Sequence, residues 1–245
     1  MEEQIAGAKP KLIPVKDLIK TSWEQYKTHF NTLVPITLLM GIGLYLQTIL
    51  IFLNKGNNAS FGLLYLLTTI IYFVGIIWAG TALLHRVNKL DQTMTTGQAF
   101  SSAKPFIWPV FVAGLITTIF VIIGLILLII PGIIVGIYLT FSVYVVIAEN
   151  KHGMEAVKAS KNYVSGYWFG VFGRLVLVGF IIAIAAGIIG WLGQMILGLN
   201  LGMLVQNLAS LILAPFAVLA QFAIYKSLRS VKGSAPAVTE IQESI

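Results

Sequence analysis

Long apolar stretches alternate with short charged segments along this chain. No Lys, Arg, Asp or Glu occurs within residues 28–54, 56–85, 105–148 or 175–225. A helix of about 20 apolar residues crosses the roughly 30 Å hydrocarbon core of a bilayer. The first two stretches are long enough for one crossing each, and the last two are long enough for two each. The pattern therefore predicts an all-α, polytopic membrane helix bundle with about six transmembrane helices.

Two breaks in the apolar pattern set the predicted limits of the spans. Pro131-Gly132 divides the third stretch, because proline fixes φ and glycine permits a tight turn. Residues 191–203 are apolar but interrupted by glycines, which favours an interfacial connection or a shallow re-entrant loop. The predicted spans are 31–53, 61–84, 107–130, 132–149, 168–190 and 204–225.

The basic residues lie on one side of such a bundle if six spans cross the membrane, and the opposite side holds only Lys55. By the positive-inside rule, both termini of this multi-pass protein are predicted to be cytoplasmic, in the cell membrane. Residues 1–30 are then a cytoplasmic segment with an amphipathic interfacial helix, and residues 31–228 are the transmembrane domain. Residues 229–245 are predicted to be a disordered cytoplasmic tail, because they are polar.

The segments before spans one, three and five resemble one another. They align without gaps at three positions, of which the second lies four residues and the third twelve residues after the first. We predict three tandem units, each a short cytoplasmic helix followed by a transmembrane hairpin. The matched residues are Leu18, Ala99 and Ala156 at the first position, Ser22, Ala103 and Ser160 at the second, and Phe30, Phe111 and Trp168 at the third.

The first and third of these short helices are amphipathic, with basic residues opposite an apolar face. The second, at 96–104, is nearly uncharged and is predicted to end at Pro105. We expect all three helices to lie in the cytoplasmic headgroup layer, where each basic residue gains about 1 kcal/mol from anionic lipid. The alternative is that they are ordinary packed connections between spans. The basic residues concerned are Lys16, Lys20, Lys27, Lys158 and Lys161.

The composition agrees with a membrane protein and narrows the chemistry. Hydrophobic residues make up 58% of the chain and charged residues 10%, against about 25% charged residues in a soluble domain. The net charge of +7 is explained by basic residues that flank spans, so membrane lipids with anionic headgroups are the predicted partners and nucleic acid is not. The absence of cysteine excludes disulfides and thiolate metal sites, and no cofactor or metal is predicted.

Arg174 is the one charge well inside a predicted span, and it is a candidate binding residue. Charged residues within spans are costly and often functional. Arg174 lies only about 9 Å along the helix from Trp168, so its side chain can instead extend to the cytoplasmic headgroups. Glu149, at the end of span four, is a candidate ion-pair partner on the same side.

Residues 131–172 resemble bacterial and archaeal membrane proteins of the glycerophosphoryl diester phosphodiesterase membrane-domain family. The resemblance rests on Pro131-Gly132, on Glu149 at the end of a span, on Ala156 with Ser160, and on Gly166 before Tyr167-Trp168. The segment 15–39 is also similar to the opening helix of that family. The resemblance implies a six-helix membrane domain, and many such proteins have no known activity. The chain departs from the family pattern at Tyr138 and Lys161, so any role the family assigns to those positions is not carried over.

These observations lead to a hypothesis with two alternatives. We expect a non-enzymatic integral membrane protein with a structural, accessory or membrane-homeostasis role, which contacts lipid headgroups through its cytoplasmic helices. A transporter or lipid translocator is the first alternative, because internal repeats and glycine-broken spans are compatible with one. An intramembrane enzyme is the least favoured, because the sequence shows no catalytic constellation and no soluble phosphodiesterase domain.

Overall fold

The computed structural model describes residues 11–53 and 59–233, and within these residues the regular structure is entirely helical. Residues 1–10 and 234–245, and the segment around Lys55, lie outside the described residues, as does most of the predicted tail. The helices are α1 (Val15–Thr28), α2 (Phe30–Met40), α3 (Ile42–Leu53), α4 (Ala59–Asn88), α5 (Thr96–Leu127), α6 (Ile129–Leu139), α7 (Ser142–Glu149), α8 (Gly153–Val164) and α9 (Trp168–Gly233).

Within residues 11–53 and 59–233, five helical segments are long and apolar enough to cross a membrane, and α2 with α3 forms a sixth if this pair, bent by 46°, is counted as one span. The helices α6 and α7 together form one segment, Ile129–Glu149, and α9 supplies two, Trp168–Leu199 and Leu201–Gly233. The break in α9 lies at Gly198, whose φ of 80° and ψ of 168° are readily adopted only by glycine. The prediction of an all-α polytopic bundle with about six spans is confirmed.

The turn between the third and fourth spans lies three residues before the predicted one. Leu128 is extended, with φ −167° and ψ 154°, and α6 begins directly after it. Pro131 falls within the first turn of α6. Backbone N–H groups in the first turn have no acceptor within the helix, so proline, which lacks an N–H, costs no hydrogen bond there. Gly132 instead allows close helix contact, since a Cβ there would lie 2.8 Å from the backbone nitrogen of Leu125.

Two other local predictions are wrong. Residues 191–203 are helical on both sides of Gly198 and form the tip of a helical hairpin, not an interfacial loop. Pro105 does not end a short helix, because α5 continues through it into the third span. The N-terminus of α5 is fixed by a capping box in which Thr95 Oγ1 accepts from Gln98 N at 3.3 Å and Gln98 Oε1 accepts from Thr95 N at 2.9 Å.

The buried side chains gather at one end of the bundle, and the opposite halves of the spans are exposed. We call the first the basic end, because α1, α8 and the last two turns of α9 carry exposed Lys and Arg there. The exposed parts of the spans are apolar; at the turn around Leu128, for example, the side chains of Ile126 and Ile130 are 78% and 70% exposed. Lipid must cover such surfaces. The buried residues fall within 12–37, 79–87, 99–113, 139–147, 156–178 and 211–231, and a few others are scattered along the spans.

Candidate functional site

Helix α1 at the basic end presents four successive strips, because neighbouring residues in an α-helix are about 100° apart. The first strip is buried against α9, where the Tyr26 hydroxyl donates to the carbonyl oxygen of Ile212 at 3.0 Å. The second strip is apolar and includes Trp23, whose side chain is 46% exposed. The basic third strip borders this apolar strip, and the acidic fourth strip lies beyond it. The buried strip is Leu18, Ser22 and Tyr26, the basic strip is Lys16, Lys20 and Lys27, and the acidic strip is Asp17 and Glu24.

Helix α8 is attached to the turn between α6 and α7 through Ser160. The Ser160 hydroxyl donates to the carbonyl oxygen of Tyr138 at 2.8 Å and accepts from the backbone nitrogen of Phe141 at 3.1 Å. Ser160 is fully buried, and Lys158 and Lys161 are exposed. Both α1 and α8 are therefore packed against the bundle by one face and present their lysines to the surroundings.

The first two aligned positions of the predicted units share one property, which the third does not, since Phe30 is 40% exposed. All six residues have no exposed surface at all, namely Leu18, Ala99, Ala156, Ser22, Ala103 and Ser160. Small or compact side chains at these positions let the short helices approach the rest of the bundle closely. The repeat itself stays a prediction.

Arg174 bonds to main-chain carbonyl groups and not to Glu149. Its Nε and Nη2 atoms donate to the carbonyl oxygen of Ile13 at 3.0 and 2.7 Å, and Nη1 donates to that of Gly170 at 2.8 Å. The backbone nitrogen of Ile13 donates to Ser227 Oγ at 2.9 Å. Arg174 and Ser227 together thus fix the segment that precedes α1 against both halves of α9, and the predicted pair of Arg174 with Glu149 is not formed.

A groove beside Arg174 has a volume of about 770 Å³. We call it the Arg174 groove. The segment before α1 forms one wall, and the start of α9 forms the other. Its aromatic wall is held in place where Trp168 Nε1 donates to the carbonyl oxygen of Ile134 at 3.3 Å and where Trp168 stacks on Phe172 at 5.1 Å. Its lining includes Lys11, Tyr138, Tyr167, Trp168, Phe169 and Arg174.

Two smaller cavities meet the Arg174 groove at Tyr138. One, of about 420 Å³, runs along α6 and is lined by Ile130, Ile133, Ile134, Trp168 and Phe169. The other, of about 260 Å³, lies between α5, α6 and α8 and includes Lys158 and Lys161 in its lining. Lys11 and Arg174 line the first of the three cavities, Lys158 and Lys161 line the one beside α8, and the apolar cavity along α6 extends towards the exposed turn at Leu128.

Glu149 is the centre of a second polar cluster at the basic end. Its Oε1 accepts from the hydroxyl groups of Tyr163 at 2.8 Å and Tyr225 at 2.5 Å, and its Oε2 lies 2.9 Å from Lys151 Nζ. Arg229 Nε lies 3.8 Å from Oε1. The Glu149 side chain is only 8% exposed, so the cluster connects the end of α7 with α8 and α9 in a largely desolvated position.

The Glu149 carboxylate alters the titration of its two partners outside the spans. Burial, followed by the hydrogen bond to Glu149, raises the pKa of the Tyr163 hydroxyl above its ordinary value. The hydrogen bond to Glu149 raises the pKa of Lys151, with burial opposing it. Both groups therefore stay protonated near neutral pH and donate to the carboxylate.

A third cluster joins the end of α4 to the turn between α1 and α2. Arg86 is 2% exposed, and its Nη2 lies 3.1 Å from His29 Nδ1 while its Nη1 donates to the carbonyl oxygen of Lys89 at 2.8 Å. Burial, and then the charge of Arg86, lowers the pKa of His29. Because a guanidinium can only donate, His29 accepts this bond as a neutral imidazole.

The sequence did not indicate the partners of Glu149, Arg174 or His29. Tyr225 is 76 residues from Glu149, and Ile13 is 161 residues from Arg174. A main-chain carbonyl group such as that of Ile13 is present at every residue, so the sequence does not reveal which one accepts the bond. The sequence contained one indication of a partner for Glu149, because Tyr163 lies in a short helix that follows Glu149 closely in the chain. Among the described residues, no three His, Cys, Asp or Glu side chains come together as possible metal ligands.

No protein-family model, curated protein or solved structure matches this chain. The resemblance at residues 131–172 stays a prediction. Proposals about function therefore depend on the geometry of the basic end.

Proposed function

We propose that this integral membrane protein has a non-enzymatic structural or accessory role and binds anionic phospholipid headgroups through the lysines of α1 and α8. The arrangement of strips around α1 carries this proposal. An exposed tryptophan beside a basic strip is typical of a helix at the membrane interface, with the aromatic ring at headgroup level. Asp17 and Glu24 lie on the far side of the lysines, away from that interface.

The packing of α1 supports a fixed position for these lysines. An isolated amphipathic helix embeds its main apolar face in lipid, whereas the corresponding face of α1 is buried against α9. The lysines are therefore held on a rigid scaffold at the basic end. Each basic residue near an anionic surface gains about 1 kcal/mol, and the three lysines of α1 together gain roughly 3 kcal/mol at physiological ionic strength.

Neutralising the basic strip of α1 should weaken the preference of the protein for anionic lipid. We expect the variant Lys16→Gln, Lys20→Gln, Lys27→Gln to lose that preference by several-fold at low salt, since the attraction of these three lysines for anionic headgroups, which salt screens, is removed. The protein is reconstituted in mixed vesicles, and the association of spin-labelled phosphatidylglycerol is compared with that of spin-labelled phosphatidylcholine. Lys55→Gln, on the side that the charge pattern places outside, serves as the control. An unchanged preference in the triple variant would contradict the proposal.

The proposal also places the basic end in the cytoplasm, which can be tested because the chain contains no cysteine. Ser102, exposed near the start of α5, is replaced by cysteine in one variant, and Asn58 is replaced in another. Ser102→Cys should react with a membrane-impermeant maleimide only after the cells are opened, and Asn58→Cys should react in intact cells. Asn58 lies outside the described residues, so its expected reactivity depends on the charge pattern alone. The reverse labelling pattern would invert the orientation.

A further inference from the structure

We infer that the Arg174 groove is a stoichiometric site for one anionic diacyl phospholipid, with the phosphate at Arg174 and Lys11 and an acyl chain along α6. This inference rests on the proposed function, because it requires the basic end to face anionic headgroups. The inference goes beyond the proposed function because it names one concave binding site, whereas the proposed function needs only a charged surface. A bound phospholipid there would fasten the segment before α1 to the membrane.

The polar end of the groove matches a phosphodiester. A guanidinium has five N–H groups, and three of those of Arg174 donate to the carbonyl oxygens of Ile13 and Gly170. One N–H on each terminal nitrogen has no partner among the described residues. Two such donors suit the paired oxygens of a phosphate. Lys11 also lines the groove and is exposed, so a second positive charge is available.

The guanidinium is positioned in advance of any ligand. Its three bonds to carbonyl oxygens are 2.7 to 3.0 Å long, and the backbone nitrogen of Ile13 is itself held by Ser227. A side chain that is already fixed loses little conformational entropy on binding. A third cation lies near the rim, since Lys232 Nζ is 5.8 Å from the ring centroid of Tyr167. The positive charge is therefore concentrated at one end of the groove.

The other end of the groove is apolar and points towards the exposed turn at Leu128. From Tyr138 to Ile130 the cavity follows eight residues of α6, or about 12 Å. That length is most of one leaflet's share of a hydrocarbon core roughly 30 Å thick. Phe169 is 83% exposed and lines both the Arg174 groove and the cavity along α6. An anion without a hydrocarbon chain would leave this part of the groove without a partner, so a phospholipid is the occupant with matching chemistry.

The site can be tested by native mass spectrometry of the full-length protein in detergent. The probes are dioleoyl phosphatidylglycerol, dioleoyl phosphatidylcholine and inorganic phosphate. We expect one phosphatidylglycerol adduct that survives detergent exchange and no equivalent phosphatidylcholine adduct. Inorganic phosphate in excess should not displace the lipid. Displacement by phosphate would show a site for small anions and would overturn the inference.

Three variants locate the adduct. Arg174→Gln should weaken it by about tenfold or more through the loss of charge-assisted bonds. Lys11→Gln and Phe169→Ala should weaken the adduct by roughly three- to fivefold. Both side chains are exposed, so these two variants should fold and can test the site even if Arg174→Gln does not fold. Lys104→Gln and Phe180→Ala are matched controls, because both side chains are exposed and lie outside the groove. Equal adducts in all five variants would overturn the inference.

Failure of this inference can be distinguished from failure of the proposed function. If the proposed function and this inference are both correct, the triple lysine variant of α1 loses its general preference for phosphatidylglycerol but keeps the single adduct. Loss of the adduct together with that preference would mean that only the charged surface binds lipid, which would overturn the separate site. A general preference that is unchanged by the triple variant, with the adduct retained, would overturn the proposed function alone.

Discussion

Replacing Glu149 by alanine is expected to lower the free energy of unfolding by roughly 3 kcal/mol. The carboxylate accepts from the hydroxyl groups of Tyr163 and Tyr225 and pairs with Lys151. Tyr225 is 1% exposed, so its hydroxyl would be left buried without this acceptor. An unsatisfied buried donor costs about 1–3 kcal/mol, and the loss of one partner of a desolvated ionic cluster adds to that. The C-terminal helix would detach more readily from α7 and α8.

Thermal unfolding in detergent, followed by circular dichroism, measures this effect. A loss of about 3 kcal/mol corresponds to a decrease in Tm of roughly 5–10 °C for a chain of this size. Glu155→Ala is the matched control, since Glu155 is an exposed carboxylate in the neighbouring helix α8 and should change Tm little. The Tm of Glu149→Gln should lie between those of Glu149→Ala and Glu155→Ala, because an amide oxygen can still accept from one tyrosine. Equal Tm values for Glu149→Ala and Glu155→Ala would show that the cluster does not hold the basic end together.

Replacing Gly43 by alanine should destabilise the first hairpin, although alanine favours helix formation. The backbones of α3 and α4 lie close together here, and a Cβ on Gly43 would clash with the backbone of Tyr72. Backbone atoms cannot rotate away as a flexible side chain can, so the two helices must separate. Forcing extra volume into a close contact costs about 1–3 kcal/mol. The hydrogen bond from Gln47 Nε2 to Thr69 Oγ1, 2.7 Å long and one turn away, would weaken with the separation.

Gly80→Ala is the matched control, and its effect should have the opposite sign. Gly80 lies in the interior of α4, about two turns from its end, and a Cβ there meets no atom of a neighbouring element within 4 Å. Glycine to alanine in a helix interior stabilises it by up to about 1 kcal/mol. The two variants are compared by Tm in the same detergent. A stabilised Gly43→Ala protein would show that α3 and α4 are not in close contact at this position.

The spans could be predicted well from the sequence, but their ends could not. The apolar stretches give the spans because the length of a hydrophobic segment is a local property. The turn at Leu128 was placed at Pro131-Gly132 because both residues favour turns, yet proline is equally acceptable in the first turn of a helix. Gly132 is used for helix contact with Leu125, which depends on a neighbouring helix and not on the local sequence.

For the candidate sites, the charged residues could likewise be predicted from the sequence, but their partners could not. Arg174 and Glu149 could be selected from the sequence because a charge next to a long apolar segment is conspicuous. Their partners could not, and the predicted pairing of the two with each other is not found. Arg174 bonds to a main-chain carbonyl, and Glu149 bonds to tyrosines on two other helices. The choice of partner depends on how the helices cross.

By itself, the sequence determined that this is a polytopic helical membrane protein, and it determined which segments are apolar enough to span. Hydrophobic length and charge distribution act through the bilayer, which interacts with each segment separately. The tertiary structure alone decided that the core gathers at the basic end, that α1 buries one face against α9, and that Tyr138, Phe169 and Arg174 line a common groove. These features require contacts between residues far apart in the chain, and such contacts are set by the packing of helices against one another.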